Sequence, residues 1–340
     1  MKILKILLMI LAVLAVLLAG TAYYSYKELS SRLPISEEMI IVIPKNASLD
    51  QIVRIMNFHG IFEPAWFYEI VLKLYAQYDS KTYYAGSYKF SPQNTNKHII
   101  ESIFSGKNLH ILSVTYPEGL TLKRIAAISE KKLGVDRSEF IRIATTDSML
   151  SKYGIPSNSP EGYLMPDTYD FFYDPSPLKV VNKLMQHHKE IWESEFSGRA
   201  NEIGMSKHEV LTLASIIEAE TQVPSERPVI SGVYHNRLRK GWLLEADPTV
   251  QYALGEKRRL LYRDLEVDHP YNTYKYPGLP PGPINNPGKA AIEAALYPAI
   301  HDYMFFVATG DGSGEHNFAE TYSGHLTNVK KFRRNVRANN

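Results

Sequence analysis

Ser206-Lys207-His208-Glu209-Val210-Leu211-Thr212-Leu213-Ala214-Ser215-Ile216-Ile217-Glu218-Ala219-Glu220 is the stretch on which the reading of the fold turns. Ser206 followed three residues later by Glu209 is a capping-box pattern, so a helix opens here. Val210, Leu211, Leu213, Ala214, Ile216 and Ile217 make its buried face. At about 100° per residue, Glu218 projects between Ala214 and Leu211, and Glu220 between Ile216 and Leu213. Both carboxylates fall inside the apolar arc. A carboxylate on such a face has its ionised form disfavoured, and a carboxylic acid still protonated near neutral pH can donate a proton to a glycosidic oxygen. The same spacing also suits a structural Glu satisfied by Arg227 or Arg237, or a helix end emerging into solvent. Periodicity does not separate Glu218 from Glu220.

Outward from this helix, a second one is expected from about Glu226 to Lys240, with Pro228 in its first turn and Gly241 past its end. Beyond Gly241 the chain reads as loops, including Asp247-Pro248-Thr249 and the run from Pro277 to Pro283, and such ordered loops often line sites. Upstream, Glu161 to Tyr169 reads as an aromatic-rich loop. A long helix is expected from about Leu178 to Phe196, with Val181, Leu184, Met185 and Trp192 on its apolar side. A weak internal repeat lies further back: Val42 to Ile52 parallels Thr115 to Ile125. Each copy reads as a short strand, a Pro-led turn, a Ser or Thr cap and an amphipathic helix. Gly86 to Phe90 alternates like a strand, and a helix from Lys97 to Ser105 stops at Gly106.

The N-terminus is of another kind. From Ile6 to Tyr24 there is no charge, and nineteen residues give roughly 28 Å of helix, close to a bilayer core. Ala19-Gly20-Thr21-Ala22 also offers a signal-peptide cleavage site. The length of the run and its continuation into Tyr23, Tyr24 and Tyr26 favour an uncleaved anchor. The short basic tail with Lys2 and Lys5 then stays inside and the rest of the chain lies outside the cytoplasm.

Composition narrows the chemistry. Lys and Arg total 38 against 36 Asp and Glu, so no basic field argues for nucleic acid. There is no cysteine, which removes disulfides, thiolate metal sites, thiol nucleophiles and lipid attachment. The 23 tyrosines suit carbohydrate surfaces and ordinary cores alike. His235, His269, His301, His316 and His325 show no i, i+4 pair with a Glu between, so no metal is expected. Ser176-Pro177-Leu178-Lys179 matches a Ser-x-x-Lys pattern, but no Lys-Thr-Gly accompanies it. Gly310-Asp311-Gly312-Ser313-Gly314 has the spacing of a flexible turn.

Ala214-Ser215-Ile216-Ile217-Glu218-Ala219-Glu220-Thr221 resembles the catalytic-helix signature of the endolytic murein transglycosylases, the YceG-like proteins. The likeness continues through Asn236-Arg237-Leu238, Asp247-Pro248-Thr249-Val250-Gln251-Tyr252, Tyr271-Asn272-Thr273-Tyr274, Gly278 to Ile284, Tyr303 to Val307 and His316-Asn317-Phe318. Upstream it includes Glu161 to Tyr169 and Ala85 to Pro92. It implies a LysM-like module ahead of the catalytic domain and Glu218 as the catalytic group. Glu220, Asn236, Asp247, Thr249, Gln251, Asn272 and Tyr274 become the candidates for binding substrate. Glu245 stands where the family pattern carries Gln, which keeps a two-carboxylate mechanism open.

The expected protein is therefore a mixed α/β chain. Residues 1–5 form a cytoplasmic tail, 6–24 a transmembrane anchor, 25–39 a tether, 40–110 a LysM-like module and 111–340 the catalytic domain. Its expected action is cleavage of murein glycan strands at the bacterial inner membrane, without cofactor, alongside peptidoglycan polymerases. Two rivals stand: a muramidase pairing Glu218 with Glu245, Glu220 or Asp247, and a non-catalytic glycan-binding scaffold with a structural Glu218.

Overall fold

In the computed structural model, which describes residues 2–79, 82–172 and 175–339, the chain divides into two compact units. One is Met1–Leu112 with Asp170–Tyr173; the other is Ser113–Tyr169 with Asp174–Asn340.

The first unit contains helix α1 (Lys2–Ser30), strand β1 (Met39–Ile43), helices α2 (Leu49–Phe58) and α3 (Ala65–Asp79), strand β2 (Gly86–Phe90) and helix α4 (Asn96–Ser105). Ser48 and Gln51 exchange side-chain and backbone hydrogen bonds in a capping box that starts α2. Gly106, at φ 69°, closes α4 in the left-handed conformation that a Cβ disfavours. β1 and β2 pair antiparallel, Met39 opposite Phe90 and Ile43 opposite Gly86. Their inward residues Ile41, Ile43, Tyr88 and Phe90 meet Ile52, Val53 and Met56 of α2, Tyr68 and Leu72 of α3, and Ile99 and Ile103 of α4 in one core.

Residues 25–39, read as a tether, make contacts with the first unit. α1 continues to Ser30, and Leu29, Leu33 and Ile35 join the core just described. The buried amide of Asn96 donates to Glu28 O (3.1 Å) and Ser31 Oγ (2.9 Å), and also meets Tyr68 Oη at 2.6 Å. Leu33 N–H donates to Asn94 O at 3.0 Å. Asn94 and Asn96, which hold this stretch, lie more than 60 residues further on, beyond any local pattern. A soluble form starting at Ser36 is accordingly expected to be about 3 kcal/mol less stable in its first unit than one starting at Lys27. Urea unfolding of the two truncations, compared side by side, measures this; equal midpoints would contradict it.

The second unit carries most of β3 (Ile111–Tyr116) and the first half of β4 (Asp167–Phe172), and these strands pair with each other. Between them lie α5 (Leu122–Leu133), α6 (Arg137–Ala144) and α7 (Asp147–Lys152). The internal repeat thus extends past its sequence signal: β1-α2-α3-β2 and β3-α5-α6-α7-β4 have the same strand–helices–strand order. Asp167 to Tyr169, read as loop, begin β4. The long helix divides into α8 (Pro177–Ile191), a π-helical turn at Trp192–Phe196 and α9 (Ser197–Glu202).

Next come α10 (Lys207–Glu220) with its Ser206–Glu209 capping box, and α11 (Arg227–Arg239) with Pro228 in its first turn. Asp247-Pro248-Thr249 starts a helix, α12 (Asp247–Leu254), because Pro is tolerated in a first turn where its missing N–H has no partner to lose. α13 (Lys289–Leu296), the antiparallel strands β5 (Phe305–Ala308) and β6 (His316–Ala319), and α14 (Tyr322–Ala338) complete the unit.

Candidate functional site

α10 is the fixed element around which the site is built. Its residues Val210 to Ile217 are wholly buried, and α13 packs along it. The loop before α13 is stitched to it: Ile284 N–H donates to Ser215 Oγ (3.0 Å) and Asn285 Nδ2 to Ser215 O (2.8 Å). At its start, His208 Nδ1 meets Tyr163 Oη (3.0 Å) and His208 Nε2 donates to Pro281 O (2.8 Å). The aromatic segment 161–165 and the Pro-rich run are thereby both tied to this helix.

Glu218, in its last turn, has a side chain only 8% exposed. Arg227, first residue of α11, donates to Oε1 at 3.2 Å. The Gly288 N–H, at the start of α13, donates to Oε2 at 3.1 Å. The partner Arg227 had been named from sequence; Gly288 had not. Gly119, at φ 71°, brings bare backbone against the same side chain, since a methyl group there would lie 3.5 Å from Glu218 Cγ.

Sequence reasoning missed the neighbouring Glu118. Its side chain lies across Gly288, where an added methyl would meet Glu118 Cγ at 2.4 Å and Oε1 at 2.7 Å. Glu118 is exposed, so the structure brings a second, solvent-facing carboxylate to the residue whose N–H holds Glu218. The turn presenting it is rigidly held. Gly119 N–H donates to Asn286 O, and Leu120 O accepts from both Asn286 N–H and Asn286 Nδ2, each at 2.9 Å. Asn286 Nδ2 (2.7 Å) and Leu122 N–H (2.8 Å) in turn donate to Oε1 of buried Glu161, whose carboxyl desolvation pushes up to about 8. The Pro117-Glu118-Gly119 turn was visible in the internal repeat, but nothing local linked it to a helix a hundred residues on.

Glu220 faces elsewhere, as residues two apart on a helix must. It accepts from Tyr234 Oη at 2.7 Å. Burial, with the negative charge of Asp247 adding, raises its carboxyl to about 7 against the pull of Tyr234 and Arg237. Tyr274 Oη donates to Asp247 Oδ1 at 2.6 Å, and the charges of Asp247, Glu245 and Glu220 all raise the Tyr274 phenol, after desolvation. Glu245, at φ 50°, pairs with Arg237 at 3.0 Å. Glu220, Asp247, Glu245 and Tyr274 thus form a cluster of their own, in which none hydrogen-bonds to Glu218.

The remaining candidates are hydrogen-bonded within the fold. Asn236, buried, donates to His301 O (2.8 Å) and Tyr303 O (3.0 Å). Thr249, fully buried, donates to Ala246 O (2.7 Å) and meets Thr273 Oγ1 (2.9 Å). Gln251 donates to Arg258 O at 2.7 Å. Asn272, fully buried, donates to Leu265 O and Val267 O at 2.8 Å each and accepts from Tyr274 N–H. The Asn272→Ala variant leaves those groups unsatisfied and should lose about 3 kcal/mol of stability. Denaturant titration reads this out, and a loss below about 0.5 kcal/mol would be the value of an ordinary surface site. Among the described residues no group of three or more His, Asp or Glu side chains is placed to hold a metal ion.

Residues 41–331 match the YceG-like family. An endolytic murein transglycosylase of Bacillus subtilis (strain 168) is 32% identical over 311 residues, covering 86% of this chain and 84% of that protein. Two Streptococcus pneumoniae proteins of the same name, from strains R6 and D39, are each 25% identical over 92% of this chain, which spans only 62% of their length. The crystal structure of a yceG-like protein from Listeria monocytogenes is similar with a TM-score of 0.60 and 32% identity, covering 87% of this chain and 99% of that one.

Proposed function

The chain belongs to the YceG-like family, and from that footing we propose that it is an endolytic lytic transglycosylase of murein. It cuts the β-1,4 bond between N-acetylmuramic acid and N-acetylglucosamine in nascent strands, leaves 1,6-anhydro ends and so terminates elongation. The observation that carries the chemistry is Glu218, nearly buried and gripped at both oxygens, with the free edge of Glu118 beside it.

Protonated Glu218 donates to the glycosidic oxygen as the bond from it to C1 of the muramic sugar breaks. Arg227 and the Gly288 N–H stabilise the carboxylate formed at that moment. The carboxylate then takes the proton of the C6 hydroxyl, whose oxygen closes onto C1. The proton returns to its origin and no water is consumed, so a second proton-transferring carboxylate is not required. Glu118 opposes the positive charge that develops on the sugar between the two steps.

Cleavage in ¹⁸O-labelled water tests the reading: unlabelled anhydro ends support it, whereas labelled reducing ends mean a muramidase. Glu118→Gln should lower kcat by about 10–100-fold with KM little changed, the pattern of a contact made in the transition state. Steady-state kinetics on isolated glycan strands reads this directly, and an unchanged kcat removes Glu118 from the mechanism.

The strand–helix–helix–strand order of β1-α2-α3-β2 supports a LysM-like, glycan-holding role for residues 40–110. The long apolar helix α1, near the N-terminus and unburied, supports a single-pass anchor in the bacterial inner membrane with the rest outside the cytoplasm. An enzyme held there meets strands as polymerases extend them.

A further inference from the structure

α3 carries an apolar stripe that the described residues of the first unit leave exposed. Trp66, Ile70, Leu74 and Tyr78 recur every four residues and are 59%, 52%, 60% and 94% exposed. At 1.5 Å per residue the stripe runs roughly 18 Å. The opposite face of the helix supplies Tyr68 and Leu72 to the core. A soluble surface rarely gathers such residues in one line without a use for them.

The contacts of α3 with α1 indicate which way the stripe faces. Tyr68 Oη reaches Glu28 O, while the preceding Phe67 ring packs edge-on against Tyr24 at 5.4 Å. Tyr24 closes the uncharged run and lies about 6 Å nearer to the anchor's apolar core than Glu28. Stepping back one residue on α3, from Tyr68 to Phe67, therefore turns toward the bilayer. The next step in the same sense arrives at Trp66, and Ile70 and Leu74 lie between Trp66 and Phe67 around the helix. Trp and Tyr at the two ends of the stripe are the side chains that favour a membrane–water boundary.

We propose that α3 lies in the lipid headgroup region, with Trp66, Ile70, Leu74 and Tyr78 inserted into the outer surface of the membrane that α1 crosses. The first unit is then held at two places, by the span and by an interfacial helix. This rests on the anchor reading given above. Glu69 and Lys73 border the other side of the stripe, and Lys73 reaches Asp50 at 3.0 Å, so the polar flank remains in water.

The absence of cysteine makes the test clean. The full-length chain is reconstituted in vesicles of phosphatidylethanolamine and phosphatidylglycerol. Single variants Ile70→Cys, Leu74→Cys, Glu69→Cys and Leu14→Cys are each spin-labelled. Collision with oxygen, which concentrates in lipid, is compared with collision with a water-soluble nickel chelate. Labels at 70 and 74 should show an oxygen-to-nickel ratio at least about three-fold above that at 69, and approach the label at 14, as insertion to interfacial depth requires. If position 14 is lipid-exposed and positions 70 and 74 are as aqueous as 69, the proposal fails while the anchor stands. Labels at 70 and 74 shielded from both probes would mean a protein contact instead, which also overturns it. A water-exposed label at 14 would remove the anchor itself.

Discussion

Glu218→Gln is expected to fold like the parent and to cleave murein strands about 10²–10⁴-fold more slowly, the usual worth of a positioned acid and base. The reason is specific to this site. Gln keeps the length of the side chain, and its carbonyl oxygen can still accept from Arg227 or from the Gly288 N–H, the two donors that now grip the carboxylate. What it cannot do is deliver a proton and take one back. Release of anhydro-ended fragments, followed by mass spectrometry at matched protein concentration, measures the loss. Circular dichroism and thermal unfolding confirm that the fold is kept. Glu245→Gln is the companion. Glu245 is exposed and spends its charge on Arg237, apart from Glu218, so this variant should keep activity within about three-fold, the range of an ordinary surface change. Should both variants be equally inactive, the two-carboxylate muramidase replaces the transglycosylase. Full activity in Glu218→Gln would make Glu218 a structural residue and favour the scaffold.

The second large effect is on stability, and it depends on pH. Glu161 is raised to about 8 in the folded protein because burial penalises its charged form, more than Leu122 N–H, Asn286 and Lys123 relieve it. Unfolded, the same carboxyl titrates near 4.5. Between these values the folded protein holds a proton that the unfolded chain releases. The contribution to stability is therefore complete below about pH 4.5 and is lost as pH rises through about 8, by the sign of proton linkage. Glu220, raised to about 7, acts in the same direction. In Glu161→Gln the amide oxygen can accept from both Leu122 N–H and Asn286, since both now donate to a single oxygen, and no charge appears at high pH. The variant should match the parent at about pH 5 and exceed it above about pH 8 by an amount on the order of a few kcal/mol. Denaturant midpoints across that range give the answer. Parallel pH profiles for parent and variant would show that Glu161 does not titrate as described.

What was legible in the chain was what local chemistry determines. Ser206 and Glu209, Ser48, and Gly106 each act within a few residues, and each sits where the pattern put it. Glu218 lay on the buried face of α10 for the same reason, and Arg227 was within reach along the chain. What escaped was assembled over distance. Asn286 reads as an ordinary loop residue, yet it ties together Leu120, Glu161 and Leu164 through a single buried amide. Asn236, Thr249 and Asn272 stand out in the chain as polar residues of a family-like motif, but the backbone carbonyls they donate to are not readable from that motif. α12 was hidden because Asp-Pro-Thr is turn chemistry as well as a helix start.

The clamp of Asn96 and Tyr68 on the end of α1 has a mechanical meaning. Because α1 runs unbroken to Ser30 and is gripped there, no slack separates the apolar helix from the first folded unit. With α1 in a bilayer, any load on this unit works against a stiff lever rather than a leash. The load reaches the bilayer through the helix itself, and the height at which the unit stands is set by the length of that helix, residue by residue.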